Sequence, residues 1–152
     1  MPTTITIDEK ACWGCRTCEL ACKQEMRSAV GVRLIVVGED GPRIENGKPV
    51  FTYRVHMCRH CDDPTCADVC PEDAISKRAD GIVVLDDTLC SGCRACIAAC
   101  PYDAIDFDAN RDVAQKCNLC HHRVDQGLVP ACADNICLAH CIGFKSSPDS
   151  LT

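Results

Sequence analysis

The chain has 152 residues, a net charge of −6 and 17 cysteines, against only three Phe, two Tyr and one Trp. So few large side chains cannot fill a generous core at this length, so disulfides or bound metal must hold the chain together. The acidic balance excludes a nucleic-acid binder, which needs a basic face, and the odd cysteine count excludes complete pairing within one chain.

The opening residues, Met1 to Asp8, carry no basic and apolar leader, and no apolar run approaches membrane-spanning length. A cytoplasmic location without direct membrane insertion is therefore expected. In that reducing compartment, clustered cysteines bind metal more often than they pair.

In chain order, a short extended run from Ile5 to Asp8 leads into a first cysteine group: Cys12, Cys15, Cys18 and Cys22. Between Lys23 and Met57, Leu34 to Val37 can pair with Val50 to Val55, with turn signals at Gly38, Gly41-Pro42 and Asn46-Gly47 between them. A second group follows at Cys58, Cys61, Cys66 and Cys70, with a longer gap before its third member. Ala74 to Lys77, a turn at Ala79-Asp80-Gly81, and Ile82 to Leu85 read as a hairpin. The third group is Cys90, Cys93, Cys96 and Cys100; Ile105 to Asp108 and Val113 to Lys116 then form another hairpin around Ala109-Asn110. The fourth group starts with Cys117 and Cys120 and resumes at Cys132, with Cys137 and Cys141 beyond it. Runs that follow the third cysteine of a group, such as Cys96 to Cys100, leave room for only one or two helical turns.

An internal repeat organises these pieces. The segment from Asp8 to Cys22 returns from Asp86 to Cys100, with the aspartate, glycine, arginine, an alanine and all four cysteines in register. Cys70-Pro71-Glu72-Asp73-Ala74-Ile75 likewise returns as Cys100-Pro101-Tyr102-Asp103-Ala104-Ile105. Such self-similarity points to duplication of one small unit.

The spacing has a chemical reason. Three thiolates three residues apart on a tight loop converge on three irons of one [4Fe–4S] cubane, while the loop's N–H groups face its sulfides. The fourth cysteine is carried away by a helical turn; in two-cluster ferredoxins it serves the other cluster, and a proline follows it. Cys70-Pro71 and Cys100-Pro101 obey that rule, whereas Cys22 is followed by Lys23.

Alternatives fit less well. Zinc favours two separated C-x-x-C pairs, not recurring triplets. Cys117 to His121 matches a haem attachment pattern, but neighbouring groups already claim those cysteines. Thiol redox chemistry needs a single C-x-x-C in a βαβ setting. His56, His60, His121, His122 and His140 read as solvated or supporting residues, since sixteen cysteines complete four cubanes. Arg16, Arg94 and Arg123 are either cations tuning a nearby cluster or solvated loop charges. Trp13 reads as a lid over a cluster. The carboxylates form no catalytic pair and no nucleotide-binding glycine motif occurs, so no catalytic residue is expected.

Four groups, the widened second one, and a fourth group with Cys117, Cys120, Arg123, Gly127, Pro130 and Cys132 resemble the four-cluster ferredoxin-like subunit family of molybdenum and tungsten oxidoreductases. Dimethyl sulfoxide reductase and formate dehydrogenase have subunits of this kind. The likeness runs from Ile5 to about Phe144, and the chain's shortness also resembles the small subunit of tungsten aldehyde oxidoreductases.

The resemblance implies an α+β fold: a single domain over residues 1–152, made of two fused ferredoxin-like modules around four [4Fe–4S] clusters. One module would comprise residues 5–57 with 113–145, the other residues 58–112. It also implies crossed ligation. Cys58, Cys61 and Cys66 would take Cys100; Cys90, Cys93 and Cys96 would take Cys70; Cys117, Cys120 and Cys132 would take Cys22. Cys12, Cys15 and Cys18 would need a ligand from the C-terminal stretch. The family's usual C-x3-C-P is broken there, leaving Cys137 or Cys141; one inserted residue favours Cys137, because it also aligns Phe144 with a late aromatic of the family. The implied function is one-electron relay, without enzymatic activity of its own. Its partners would be a large catalytic subunit with a tungsten or molybdenum cofactor and a further redox subunit or carrier. The competing expectation is a free, diffusible polyferredoxin.

Overall fold

The computed structural model describes residues 2–146. Twelve short elements follow one another: β1 (Thr4–Ile7), α1 (Thr17–Met26), β2 (Ile35–Glu45), β3 (Lys48–Met57), α2 (Thr65–Asp68), β4 (Ile75–Lys77), β5 (Val83–Leu85), α3 (Ala95–Ala99), β6 (Ile105–Asp108), β7 (Val113–Lys116), α4 (His121–Val124) and β8 (Ile142–Lys145). The strands form four two-stranded antiparallel ribbons: β1 with β8, β2 with β3, β4 with β5, and β6 with β7. Each ribbon is too small to be stable alone, so each depends on what packs beneath it.

The two hairpins expected after the second and third cysteine groups form as read, with Ile75 opposite Leu85 and Ile105 opposite Lys116. The first hairpin is longer than expected. Its strands run on through Gly38 and Gly41-Pro42, which lie at a bulge between Asp40 and Arg43, and it turns only at Asn46-Gly47. A bulge can accommodate a glycine with φ of 143° and a proline without an N–H, so these residues bend the ribbon instead of ending it.

The pairing of β1 with β8 was not foreseen as strand pairing. It sets Ile5 opposite Phe144 and Ile7 opposite Ile142, joining opposite ends of the chain. Asp8 N–H extends the tie to the Cys141 carbonyl at 2.8 Å, and the Thr17 hydroxyl donates to the Ile136 carbonyl at 3.2 Å.

Helix α1 also corrects the sequence reading. It has ten residues, beyond the one or two turns allowed, whereas α3 has five and α2 four. The reason lies in the residue after the fourth cysteine. Pro71 and Pro101 end the helical path there, because the ring removes a donor and restricts the preceding residue. Lys23 permits continuation to Met26, and its Nζ donates to the Ala29 and Val32 carbonyls at 2.6 and 2.9 Å.

The interior is built from cysteine and small aliphatics. Val37, Val55, Met57, Ile82, Val83, Leu119 and Pro130 are the largest fully buried side chains, and none is aromatic. Trp13 is 64% exposed, so it is not packed into this interior. Among the described residues no helix is long and apolar enough to cross a membrane.

Candidate metal centres

The sequence repeat reappears as repeated backbone. Gly14 and Gly92 both take positive φ (69° and 73°), and Arg16 and Arg94 both enter their helices in the left-handed region at φ near 61° and 62°. Glycine is needed for space as well as for φ. A Cβ at Gly14 would stand 2.2 Å from the Tyr53 ring, and one at Gly92 would stand 2.5 Å from the Asp112 carbonyl.

These turns aim backbone N–H groups at sulfur. Gly14 N–H points at Cys12 Sγ (3.5 Å), His60 N–H at Cys58 Sγ (3.4 Å) and Leu119 N–H at Cys117 Sγ (3.4 Å). The fourth cysteines behave alike: Ala74 N–H faces Cys70 Sγ at 3.3 Å and Ala104 N–H faces Cys100 Sγ at 3.5 Å. Thiolates in such settings have their negative charge spread onto the peptide.

The cysteines gather across groups. Cys58, Cys61, Cys66 and Cys100 line one narrow cavity, together with Pro101 and Lys116. Cys22, Cys117, Cys120 and Cys132 line a second, walled by Met26, Leu34, Ile35, Met57 and Pro130 among others. Cys96 has the Cys90, Cys93 and Cys70 thiols as neighbours, and Cys18 has those of Cys12 and Cys137. Among the described residues, no three His, Cys, Asp or Glu close on a point tightly enough for a single metal ion. Each of the two cavities instead gathers four thiol donors, the number that suits a cubane, whose irons lie at separated corners.

Burial dominates the thiol energetics. It pushes Cys18 and Cys96 up to about 11 and Cys22 and Cys132 up to about 12. Cys66, Cys117 and Cys120 are raised for the same reason. Unliganded, these groups are protonated at neutral pH, so taking up iron means releasing protons and gaining charge compensation.

At the C-terminal stretch the structure brings Cys137 and Cys141 to the same place. Burial pulls the Cys137 thiol up, but the Cys141, Ile142 and Ala139 N–H groups and the Cys141 thiol outweigh it, leaving Cys137 below an ordinary thiol. Cys141 is pushed up to about 12 by burial, by Cys137 and by Cys12.

The three arginines differ. Arg94 stacks on Phe107, 3.8 Å from the ring centroid. Arg123 binds Asp134 (2.7 Å), Glu25 of α1 (3.3 Å) and the Val129 carbonyl (2.9 Å), tying the fourth group to the first. Arg16 serves through its backbone conformation. Two polar residues are buried beside the cysteines. His60, read as solvated or supporting, is 8% exposed, accepts from Val83 N–H at Nδ1, and among the described residues leaves Nε2 without a protein partner. Lys116 is 4% exposed. Its burial carried no local signal: lysine is ordinarily solvated, and strand alternation alone does not single it out. The widened gap of group two is held by Lys77, whose Nζ donates to the Cys61 and Asp62 carbonyls at 3.2 and 2.9 Å.

Comparison with known proteins accords with this arrangement. Residues 50–147 match the model of a 4Fe-4S dicluster domain, and residues 11–75 match a second model of the same description. Between them the matches take in all 17 cysteines and imply four [4Fe–4S] clusters. The chain is 43% identical over 136 residues to YnfG of Escherichia coli K12, a probable anaerobic dimethyl sulfoxide reductase component, covering 85% of this chain and 66% of that protein. It is 41% identical to a component of the anaerobic dimethyl sulfoxide reductase of the same organism, with the same coverage. It is 38% identical over 149 residues to a subunit of the tetrathionate reductase of Salmonella typhimurium, covering 96% and 59%. The chain thus spans just under two thirds of the length of these relatives.

Proposed function

The chain belongs to the 4Fe-4S dicluster domain family, and from that premise we propose that it is the electron-transfer subunit of a multi-subunit oxidoreductase. Each [4Fe–4S] cluster supplies a one-electron carrier. The sixteen ligands in this reading are those of the crossed sets. Cys12, Cys15, Cys18 and Cys137 form one site; Cys22, Cys117, Cys120 and Cys132 a second; Cys58, Cys61, Cys66 and Cys100 a third; Cys70, Cys90, Cys93 and Cys96 a fourth. The first two sites make a module from residues 5–57 and 113–145, and the last two a module from residues 58–112. The two modules are duplicated ferredoxin-like units.

One observation carries the relay. Among the ligands of the two inner sites none is fully exposed, and Cys117, Cys120 and Cys132 are buried, while each outer site has one exposed cysteine, Cys15 and Cys93 respectively. Neighbouring sulfurs link the sites in a row. Cys18 stands near Cys132, and Cys117 near Cys58. Cys70 and Cys100 change places between the last two sites. A shielded row with accessible ends suits passage of electrons between two partners better than reaction with a substrate at one open position.

The relatives' names describe components of reductases. By analogy, the catalytic site lies on another chain, a large subunit with a molybdenum or tungsten cofactor, and a further redox subunit or carrier completes the path. A cytoplasmic location belongs to the same proposal.

Anaerobic purification from the native source tests this. The expected result is a stably associated large subunit, about sixteen irons and sixteen sulfides per chain, and no substrate-dependent turnover by the chain alone. A partner-free chain that shuttles electrons between enzymes would favour the diffusible carrier, and full zinc loading without sulfide would sink both.

A further inference from the structure

Lys116 ends β7 and is buried to 4% exposure, yet among the described residues no carboxylate pairs with it. Its Nζ donates to the Val83 carbonyl and, at 2.7 Å, to the Cys117 carbonyl. Two of its three donors are thereby used, and one remains. Backbone carbonyls orient an ammonium, but they do not neutralise it, and a buried charge without a counter-charge is strongly unfavourable.

The surroundings point to what neutralises it. Lys116 forms part of the wall of the cavity lined by Cys58, Cys61, Cys66 and Cys100. It also precedes Cys117, which belongs to the adjoining cavity and has the Cys58 thiol as a neighbour. The nearby His60 imidazole offers no negative charge in either protonation state. The sulfurs of the two sites stand against this ammonium and become anionic once they bind iron.

We propose that Lys116 is the shared counter-charge of the Cys58 and Cys117 sites, placed where the two modules meet and holding both reduction potentials up. A cluster with four thiolates is negative and gains one further negative charge on taking up an electron. A fixed cation beside it stabilises the reduced form more than the oxidised form. Because burial keeps the local dielectric low, the effect is not screened away by salt. The inference rests on the crossed ligand sets proposed above.

The test uses the full chain with its clusters, titrated with dithionite and followed by electron paramagnetic resonance, alongside iron and sulfide counts. Cys100→Ala first identifies the signal of the Cys58 site. Lys116→Gln keeps hydrogen-bond donors to the two carbonyls without charge, Lys116→Met removes both, and Lys116→Arg keeps the charge. In the Gln and Met variants the reduced-to-oxidised ratio of the Cys58 site at fixed potential should fall about tenfold, which is 59 mV for a one-electron couple, with a smaller fall at the Cys117 site. Iron loss confined to those two sites in Gln and Met, but not Arg, supports the same role. Unchanged potentials in a fully loaded Gln variant overturn it, as does an Arg variant that behaves like Met, or loss from all four sites alike. If Cys100→Ala removes no iron, the ligand sets themselves are wrong and the inference falls with them.

Discussion

The sulfur of Cys137 lies 3.4 Å from that of Cys141. Two thiols therefore stand where the proposed Cys12 site needs one ligand, and the backbone N–H groups gathered around Cys137 favour it. Cys137 receives several backbone N–H groups and lies below an ordinary thiol, whereas Cys141 is driven up to about 12. Cys137→Ala should lose or convert one cluster and loosen the joined chain ends. Cys141→Ala should keep all four clusters, since a buried cysteine substitutes readily for a small apolar group. Iron counts and low-temperature electron paramagnetic resonance distinguish them, and cluster loss in the Cys141 variant alone would reverse the assignment.

Gly92 has positive φ and no space for a side chain, whereas Gly47 has positive φ with nothing within 4 Å of an added Cβ. Gly47→Ala should therefore cost only the conformational strain, about 1–2 kcal/mol. Gly92→Ala adds a clash with the Asp112 carbonyl and should strip the cluster proposed for Cys90, Cys93 and Cys96. Equal thermal stability and equal iron content in the two variants would contradict this.

Lys23→Pro would give the first group the Cys-Pro dipeptide of the second and third. Judged by the repeat it should be tolerated; judged by α1 it should not. The last turn of the helix holds Glu25, which binds His122 at 2.7 Å and Arg123 at 3.3 Å. Proline inside the helix should cost about 3 kcal/mol or more. Denaturant-induced bleaching of cluster absorbance measures the loss, and a wild-type midpoint would show that α1 beyond Cys22 is dispensable.

Arg78, at the tip of the β4–β5 hairpin, binds Asp125 beyond α4 at 2.6 Å and Asp80 at 3.0 Å. Hydrogen bonding from Arg78 holds the Asp125 carboxyl below its usual range. A depressed carboxylate pKa stabilises the fold above its unfolded value, near 3.9, and the contribution disappears as pH falls through the folded value. The pair is partly exposed, so Arg78→Met should cost under about 1 kcal/mol at neutral pH and low salt. The difference from wild type should stay level from neutral pH to about pH 5 and close below about pH 4. A penalty that persists unchanged in acid would assign the contact to packing of the arginine stem.

Much of the local structure was legible because its causes are local. The β4–β5 and β6–β7 hairpins follow from short apolar runs around turn residues, and the cysteine repeat carries its own backbone angles at Gly14 and Gly92, Arg16 and Arg94. Gly41-Pro42 misled for a physical reason: the same residues that make a turn also fit a bulge, and only the partner strand decides. The β1–β8 ribbon was invisible as a pairing, since four-residue strands at remote positions share no periodic signal. Lys116 escaped, and His60 stayed undecided between a solvated and a supporting role, because their burial depends on what they surround, which no neighbour in sequence specifies.

The β1–β8 ribbon also dictates a timetable. Ile7 emerges early in synthesis and Ile142 late, so Cys12, Cys15, Cys18 and Cys22 leave the ribosome long before their companions at Cys117 to Cys141 exist. The central stretch from Cys58 to Cys100 is complete sooner and can fold while the chain is still growing, as early-emerging units do. On the proposed ligand sets the nascent protein therefore carries four unprotected thiols through most of its translation. The first cysteine group is then the part of the molecule that oxygen or stray metal can reach for longest before its partners arrive.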